Sequence, residues 1–500
     1  MSYLTAIQSV FTPGCLLCVL LGVLVGMVVG TLPGLTSVMA ISLITPLTFK
    51  LDSTYGFAML LGVYNSAIFS GGISAIAINT PGTPASIATT FDGYKISRRG
   101  KTGFALGINT LYSVFGGLFS TIVLMIACAP LARLALNFGS PEYFWLALFG
   151  LCMMISISHA SLAKGLIVGI LGMLLSTVGL DPLLGSKRFI GNNTALLDGI
   201  AFIPVMIGLF GVGEMLFQIF EHKKEDDAPR DIAELKERER VLPTKAEHRR
   251  MAVPGIIGSI IGVIVGIIPG TGGDISALIS WDVSKRVSRH PEEFGDGSVE
   301  GLATTCASNN ASIGGALTTA LALGIPGDGN TAVLLGALTM YGMVTGPTLL
   351  NNSADFVCRL YIIMIVANLL ILPVGLLSAK ACIKLLSIKN QYIQMAVLMI
   401  CSIGAYSMNR NFMDVIIMFI AGIAGFFFRK YDYPLGPLIL GLLLGKMCET
   451  NLRRTLMLSG SSVKMLFSTP ISILLIILCL FATLWPFISD WISKKKTAES

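Results

Sequence analysis

The chain has 500 residues, of which 54% are apolar and only 13% charged, and its mean hydropathy is +0.78. Soluble proteins carry about 25% charged residues, and 18 of the charges here are crowded into residues 221–250. A soluble enzyme, a coiled coil and a disordered scaffold are therefore excluded, and most of the chain is solvated by lipid. The net charge of +7 is spread over loops; it reads as an orientation signal and gives no nucleic-acid footprint.

In chain order, residues 1–49, 53–91, 102–132, 143–163, 165–180 and 199–213 contain no Lys, Arg, Asp or Glu. After the charged stretch the same holds for 251–273, 301–327, 329–354, 360–379, 390–409, 415–428 and 465–489. A helix needs about 20 apolar residues to cross a bilayer, and these runs lack the alternation of a barrel strand. The fold class is an all-α polytopic membrane protein with about twelve transmembrane elements. Residues 1–13 carry no Lys or Arg and no small-residue cleavage site follows, so 14–32 reads as a first helix and not as a signal peptide. The ten cysteines read as small buried hydrophobes, with no metal site.

The sequence repeats itself. Residues 22–34 are GVLVGMVVGTLPG and residues 258–270 are GSIIGVIVGIIPG. Gly22, Gly26, Gly30, Pro33 and Gly34 each match a residue 236 positions on. GGISAIAINTPG (71–82) answers GGALTTALALGIPG (314–327), read with two inserted residues, and PVMIGLFGVGEM (204–215) answers PLILGLLLGKMCE (437–449). The organisation is a membrane repeat over 14–220, a charged linker over 221–250, a second repeat over 251–458 and an extra transmembrane helix over 465–492.

Equivalent loops carry opposite charge patterns. Lys95, Arg98, Arg99 and Lys101 follow the second Pro-Gly element of the first copy, whereas Lys285, Arg286 and Arg289 follow the first element of the second. Basic loops face the cytoplasm, so the copies read as inverted. Inversion needs an odd number of crossings per copy, yet about six elements are counted in each. At least one Pro-Gly element is therefore expected to be re-entrant.

Helix breaks at membrane depth are tolerated only where they line a cavity or are buried in protein. Four occur in matching pairs: Pro33–Gly34, Pro81–Gly82, Pro269–Gly270 and Pro326–Gly327. Discontinuous helices paired this way point to a transporter binding site. Asn79, Thr80, Thr83 and Ser86 surround the second break, where Thr83 or Pro84 can start a helix whose free N–H groups face an anion. Thr271 and Gly272 let backbone approach a ligand. These residues form the expected substrate site. The amides of Asn65, Asn309 and Asn310 have both donors and acceptors and suit either a cation or a carboxylate; with Asp328 they are taken as the expected cation site, and Asp328 is also a natural N-cap. Against this stand plainer readings: G-x-x-x-G as helix packing, amides as inter-helix hydrogen bonds, and the Asp as a simple cap.

Enzyme signatures fail. Gly100-Lys101-Thr102 lacks the first glycine of a phosphate loop, there is no H-E-x-x-H, and only four histidines are present. No catalytic residue and no cofactor is expected. Transport is then driven by an ion gradient; a channel or a non-transporting structural subunit are the alternatives.

At these residues the sequence resembles the large membrane subunit of tripartite tricarboxylate transporters, the TctA family. The resemblance is carried by GMVVGTLPGL (26–35), NTPGTPASIATTFDGY (79–94), GIIPGTGGD (266–274), SNNASIGGALTTALALGIPGDG (308–329) and PLGPLILGLLLGKMCETNLRRTL (434–456). It implies a multi-pass protein of the bacterial inner membrane that takes up a carboxylate. It also implies Na⁺ or H⁺ as coupling ion, a periplasmic solute-binding protein and a small membrane subunit as partners. PGDGN departs from the pattern, since a Ser or Thr is expected where Asp328 stands.

Overall fold

The structure, a computed structural model, describes residues 3–157, 162–221, 239–386, 388 and 390–499. Most of the expected linker, 222–238, lies outside them. The first half comprises α1 (Tyr3–Val10), α2 (Pro13–Thr31), α3 (Ser37–Thr48), α4 (Ser53–Ile78), α5 (Ile87–Arg98), α6 (Thr102–Ala135), α7 (Ser140–Ile157) and α8 (Leu162–Ser176). A two-stranded antiparallel ribbon follows, β1 (Gly179–Leu180) with β2 (Lys187–Arg188). Then come α9 (Phe202–Met206), a π-helical turn over Ile207–Val212, and α10 (Gly213–Glu221). The second half comprises α11 (Lys245–Ile267), α12 (Gly272–Val287), α13 (Val299–Leu323), α14 (Gly329–Met340), α15 (Pro347–Asn352), α16 (Ala354–Leu385), α17 (Asn390–Asn409), α18 (Phe412–Lys430) and α19 (Leu435–Leu458). α20 (Pro470–Glu499) stands after both.

The protein is an all-α polytopic membrane protein. Eight helices among the described residues are long and apolar enough to cross a bilayer. The count is below the expected twelve because α13 and α19 have the length, 25 and 24 residues, but carry more polar groups, and because α3, α8, α14 and the described apolar part of α20 are shorter. α13 can do so because protein surrounds it from Glu300 to Ala322.

Glycines set the direction of the chain. Gly22, Gly26 and Gly30 of α2 lie against Met59, Val63 and Ala67 of α4, and a Cβ at any of them would collide with the α4 backbone. The numbers rise together, so α2 and α4 run parallel, packed by the small-residue spacing that lets backbones approach. α3 must therefore carry the chain back, and Gly14 beside Tyr55 shows that it returns to the starting level. The second half does the same. Gly258, Gly262 and Gly266 of α11 lie against Thr304, Ser308 and Ser312 of α13, with α12 as the return.

The α2–α3 pair is thus a hairpin with no net crossing, although α2 by itself is one of the eight helices long and apolar enough to span. The chain then traverses the bundle along α4, α6, α7, α8 and the continuous α9–α10 segment (Phe202–Glu221), and in the second half along α13, α16, α17, α18 and α19, which gives each half five traverses, an odd number. The pairing also corrects the register of the repeat. Met59 matches Thr304, and both Pro81 and Pro326 follow 22 residues later, so no insertion separates the halves there. Gly71 corresponds to Ala316, each lying against the glycine of its own break.

The equivalent helices α4 and α13 cross antiparallel. Phe57 and Leu61 share an apolar void with Leu317 and Leu321, and Asn65 meets Asn310. Each half lends a long helix to the other: α6 lies along α13 through Gly116–Ala307 and Ser120–Gly314, and α16 lies along α4 through Phe356–Phe57 and Gly375–Phe69.

Ionic contacts cap the two faces. On one face, hereafter the basic face, Arg99 pairs with Asp296 at 2.9 Å and Arg250 with Glu293 and Glu300 at 2.6 Å. There Asp92 is buried and accepts from Trp281 Nε1 and from the N–H groups of Gly295, Gly297 and Ser298. On the opposite face, Arg453 of α19 donates to Asp181 at 2.7 Å, and Arg188 donates to both Asp181 and Glu449. At the ends of the equivalent helices on the basic face, Lys430 pairs with Glu221 at 2.7 Å, with the charges exchanged.

Two outcomes test this packing. Gly26→Leu forces a side chain into the α4 backbone; overpacking costs about 1–3 kcal/mol or more, so its melting temperature in detergent falls well below that of an Ile256→Leu control on the exposed face of α11. The hydrogen bond from Arg453, with the N–H groups of Leu183 and Leu184, holds the Asp181 carboxyl well below the usual range. A depressed folded value means stability that is present above the unfolded pKa of about 4 and is lost on acidification towards the folded one. Asp181→Asn therefore melts lower than wild type at pH 7, and the gap narrows as the pH drops below about 4.

Candidate functional site

The four helix breaks come inside the protein in different ways. After α4 ends at Asn79, held in the left-handed region at φ 56°, the chain doubles back. Gly82 N–H donates to Gly71 O at 3.2 Å, and Gly82 packs against the Gly30 carbonyl at the end of α2. In the other half Gly270 N–H donates to Gly327 O at 2.7 Å, and Gly327 packs against Ala316 and the Gly266 carbonyl. A side chain at Gly82 or Gly327 would separate the broken strand from the helix it must touch. That close approach is the reason for glycine at both positions.

The half-helices that start at the breaks differ in their caps. α3 is capped by Thr36, which accepts from Met39 N–H at 3.2 Å. α14 is closed by a reciprocal cap: Asp328 Oδ1 accepts from Thr331 N–H at 2.8 Å, and Thr331 Oγ1 accepts from Asp328 N–H at 2.9 Å. α5 and α12 have no side-chain cap bond. A short 3₁₀ turn, Pro84–Ser86, leads into α5, and the buried hydroxyls of Thr83 and Ser86 lie 3.2 Å apart. The two uncapped starts meet: Gly273 of α12 lies against Ala85, Ser312 and the Asn309 carbonyl. Asp274 occupies the first turn of α12, so α5 offers the more positive end.

A second group of polar atoms lies at the α4–α13 crossing. Asp328 Oδ2 accepts from Tyr64 OH at 2.6 Å and from Asn330 Nδ2 at 2.9 Å. Next to Tyr64, Asn65 O accepts from Asn310 Nδ2 and Asn65 Oδ1 from Asn368 Nδ2, both at 3.2 Å. Asn65 itself donates to Leu61 O at 2.8 Å. No ion pair involves Asp328 among the described residues.

Seven buried side-chain N or O atoms have no hydrogen-bond partner among the described residues, and five of them are on α13, α14 and α16: Ser308 Oγ and the amide oxygens of Asn309, Asn310, Asn330 and Asn368, the last lying beside Gly117 of α6. An unpaired buried acceptor costs about 1–3 kcal/mol, so five oxygens on three helices are an expensive arrangement unless they meet a ligand. Every one is an oxygen, the donor type that hard cations take.

Sequence reasoning placed most of these residues. Asn65 and Asn310 meet directly, Asp328 bonds to Tyr64 next to Asn65, the Asn309 carbonyl faces Gly273 of α12, and Ala85 of the Thr83–Ser86 turn meets Gly273 just after Thr271–Gly272. Pro269–Gly270 and Pro326–Gly327 meet through their backbones. Asn79 and Thr80 do not join them: both are exposed at the tip of the α4–α5 turn, and Thr80 donates back to Ile78 O. Pro33–Gly34 faces elsewhere too. Gly34 O accepts from Gln218 Nε2 at 2.9 Å, and Gln218 also donates to Glu214, which pairs with Arg429. Tyr64, Asn330 and Asn368 were missed. A tyrosine hydroxyl inside a charge-free run is itself a signal, since buried Tyr O–H groups find partners. Asn368 is the lone amide in the apolar stretch of α16.

The sequence model of the "Tripartite tricarboxylate transporter TctA family" matches residues 16–440. The uncharacterized 52.8 kDa protein in the TAR-I ttuC′ 3′ region of Agrobacterium vitis is 35% identical over 465 residues, covering 93% of this chain and 91% of that protein. The uncharacterized protein in the TAR-II ttuC′ 3′ region of the same organism is 30% identical over 220 residues, 43% of this chain and 91% of that protein. No solved structure matches. With the family pattern running through both halves and all four breaks, the chain belongs to the tripartite tricarboxylate transporter TctA family.

Proposed function

We propose that this chain is the permease of a secondary uptake system that carries a carboxylate across the bacterial inner membrane by alternating access. The family is one of tripartite transporters, and the partners are a periplasmic solute-binding protein that delivers the anion and a small membrane subunit. The basic face, with Lys95, Arg98, Arg99, Lys285, Arg286 and Arg289, is the cytoplasmic one. Antiparallel α4 and α13, with five traverses per half, support the inverted repeat on which alternating access rests.

The substrate carboxylate binds at the start of the Pro84–Ser86 turn that leads into α5, with the Thr83 and Ser86 hydroxyls beside it, because the helix dipole favours an anion there and no side chain caps it. The coupling ion binds at Asn310, Asn309, Asn65 and Asp328, with Asn330 and Asn368 as further oxygens. The five unpaired oxygens carry this reading, and they favour Na⁺ over H⁺. A proton satisfies one acceptor, whereas Na⁺ gathers several oxygens at once. Bound next to the α5–α12 meeting point, the cation also offsets the charge of the anion, which explains a carboxylate site with no Lys or Arg in its motifs.

The test is uptake of radiolabelled citrate, malate or tartrate into proteoliposomes holding this chain and its two partners. A Na⁺ gradient drives uptake and a pH gradient alone does not. Asn310→Ala and Asp328→Asn each cut Na⁺-driven uptake at least tenfold, as loss of about 1.4 kcal/mol or more of binding requires, with expression unchanged. Pro81→Ala also abolishes uptake, because the α5 start moves. Uptake that continues after both gradients collapse would show a channel instead, and uptake unchanged in these variants would remove the site assignment.

A further inference from the structure

The site motifs hold no cation, so a carboxylate that reaches the site must be attracted before it arrives. On the face opposite the basic one, the start of α16 and the connection leading to it enclose a cleft of about 400 Å³. It is lined by Ser53, Asn351, Asn352, Asp355, Phe356 and Arg359. A volume of this size suits a small organic ligand.

Arg359 is the cation in this lining. Its side chain is part-buried, and Nη1 donates to Thr54 Oγ1 at 2.8 Å at the start of α4. It makes no ion pair among the described residues, although Asp355 lies one turn earlier on the same helix. A guanidinium has five N–H donors in a planar fork that matches a carboxylate, and a neutral hydroxyl occupies one of them. Asp355 is exposed and in the first turn of α16, where an acidic group complements the helix dipole.

What lies beneath the cleft gives it a direction. Phe356, in its floor, packs edge-on against Phe57 with ring centroids 5.3 Å apart, and Phe57 meets Tyr341 at 5.9 Å. Under this aromatic plug is the small apolar void lined by Phe57, Leu61, Thr331 and Leu360. Thr331 is the residue that closes the cap on Asp328. Phe356 thus borders the cleft, its neighbour Phe57 lines the void, and the void touches the cap residue of Asp328. The corresponding connection of the first half is shorter: residues 99–101 join α5 to α6, whereas 341–353 join α14 to α16.

We propose that Arg359 is the anion-binding residue of an outer vestibule, where an organic carboxylate docks before it passes the Phe57–Phe356 plug. The inference rests on the carboxylate-uptake reading above. The simpler role for Arg359 is to pin α16 to α4 through Thr54, and the two roles separate by charge.

The test measures binding of radiolabelled citrate, malate and tartrate to the full purified chain, and uptake with its partners present. Arg359→Gln weakens binding at least about tenfold, as expected for loss of a charge-assisted bidentate contact, and raises the KM of uptake more than it lowers the maximal rate. Arg359→Lys recovers part of the loss. Asp355→Asn, which removes a negative charge from the same cleft and leaves the Thr54 bond intact, tightens binding. Unchanged affinity in Arg359→Gln, or weaker binding in Asp355→Asn, would overturn the vestibule; the second result would mark the cleft as a cation site. Absence of binding by the wild type to all three acids would instead strike the carboxylate reading, and this proposal with it.

Discussion

A helix that stops inside a bilayer leaves N–H and C=O groups where no water can reach them. The rest of this molecule follows from how that problem is solved. Each broken segment is pressed against the backbone of its own half through a glycine, Gly82 on Gly71 and Gly30, Gly327 on Ala316 and Gly266. That requires α2 and α4, and α11 and α13, to lie close and parallel, which the three-glycine ridges allow. Parallel neighbours require a return segment, so α3 and α12 become half-helices and the breaks gather in the interior instead of at the surface.

The two halves share this architecture but not its chemistry. α14 satisfies its own N-terminus with Asp328, while α5 has no side-chain cap and continues from the Pro84–Ser86 turn, whose backbone takes the Ile87 N–H. One break thus concentrates negative charge and the other offers positive ends of peptide dipoles. An inverted repeat with identical caps would hold two copies of one site. On the function proposed above, unequal caps hold two unlike ions side by side, each lowering the cost of bringing the other out of water. Tyr64, contributed by the half opposite Asp328, fixes the carboxylate from across the crossing.

Much of this was legible in the sequence, for a local reason. Pro-Gly breaks, the glycine ridges and buried amides are signals written in a few adjacent residues, and they located both halves and most of the polar cluster. Direction was not legible. Nothing in GVLVGMVVGTLPG says whether the next element continues or returns; that depends on which face of α4 receives Gly22 and Gly26. For the same reason Asn79 and Thr80 read as ligands, being polar and next to Pro81, although the left-handed turn at Asn79 throws them outward. Matching Gly-Gly pairs misled the register by two residues because composition alone aligned them, whereas helix packing aligns Gly71 with Ala316. Tyr64 and Asn368 were hidden because each is a single polar group in a long apolar run, and its partner is hundreds of residues away.

The connection after each second half-helix breaks the symmetry further. Three residues, 99–101, follow α5, and the adjoining break at Asn79–Thr80 stays exposed on the basic face. Residues 341–353 follow α14, and Gly346 packs over Gly324, so Ile325, Pro326 and Gly327 are buried. The two ends of the molecule therefore meet water differently even though their helices are equivalent. On the basic face, the α5 end is held by Asp92, with its four donors, and by Arg99–Asp296. On the opposite face α14 is held by Tyr341 on Thr48 O and by aromatic contacts. Aromatic contacts separate at lower cost than a buried carboxylate with four hydrogen bonds, whose donors and acceptor would all be stranded. Around α14 itself the aromatic plug stands between water and the polar cluster, whereas the ion pairs of this face, Arg453 and Arg188 with Asp181 and Glu449, lie at the ends of α8 and α19.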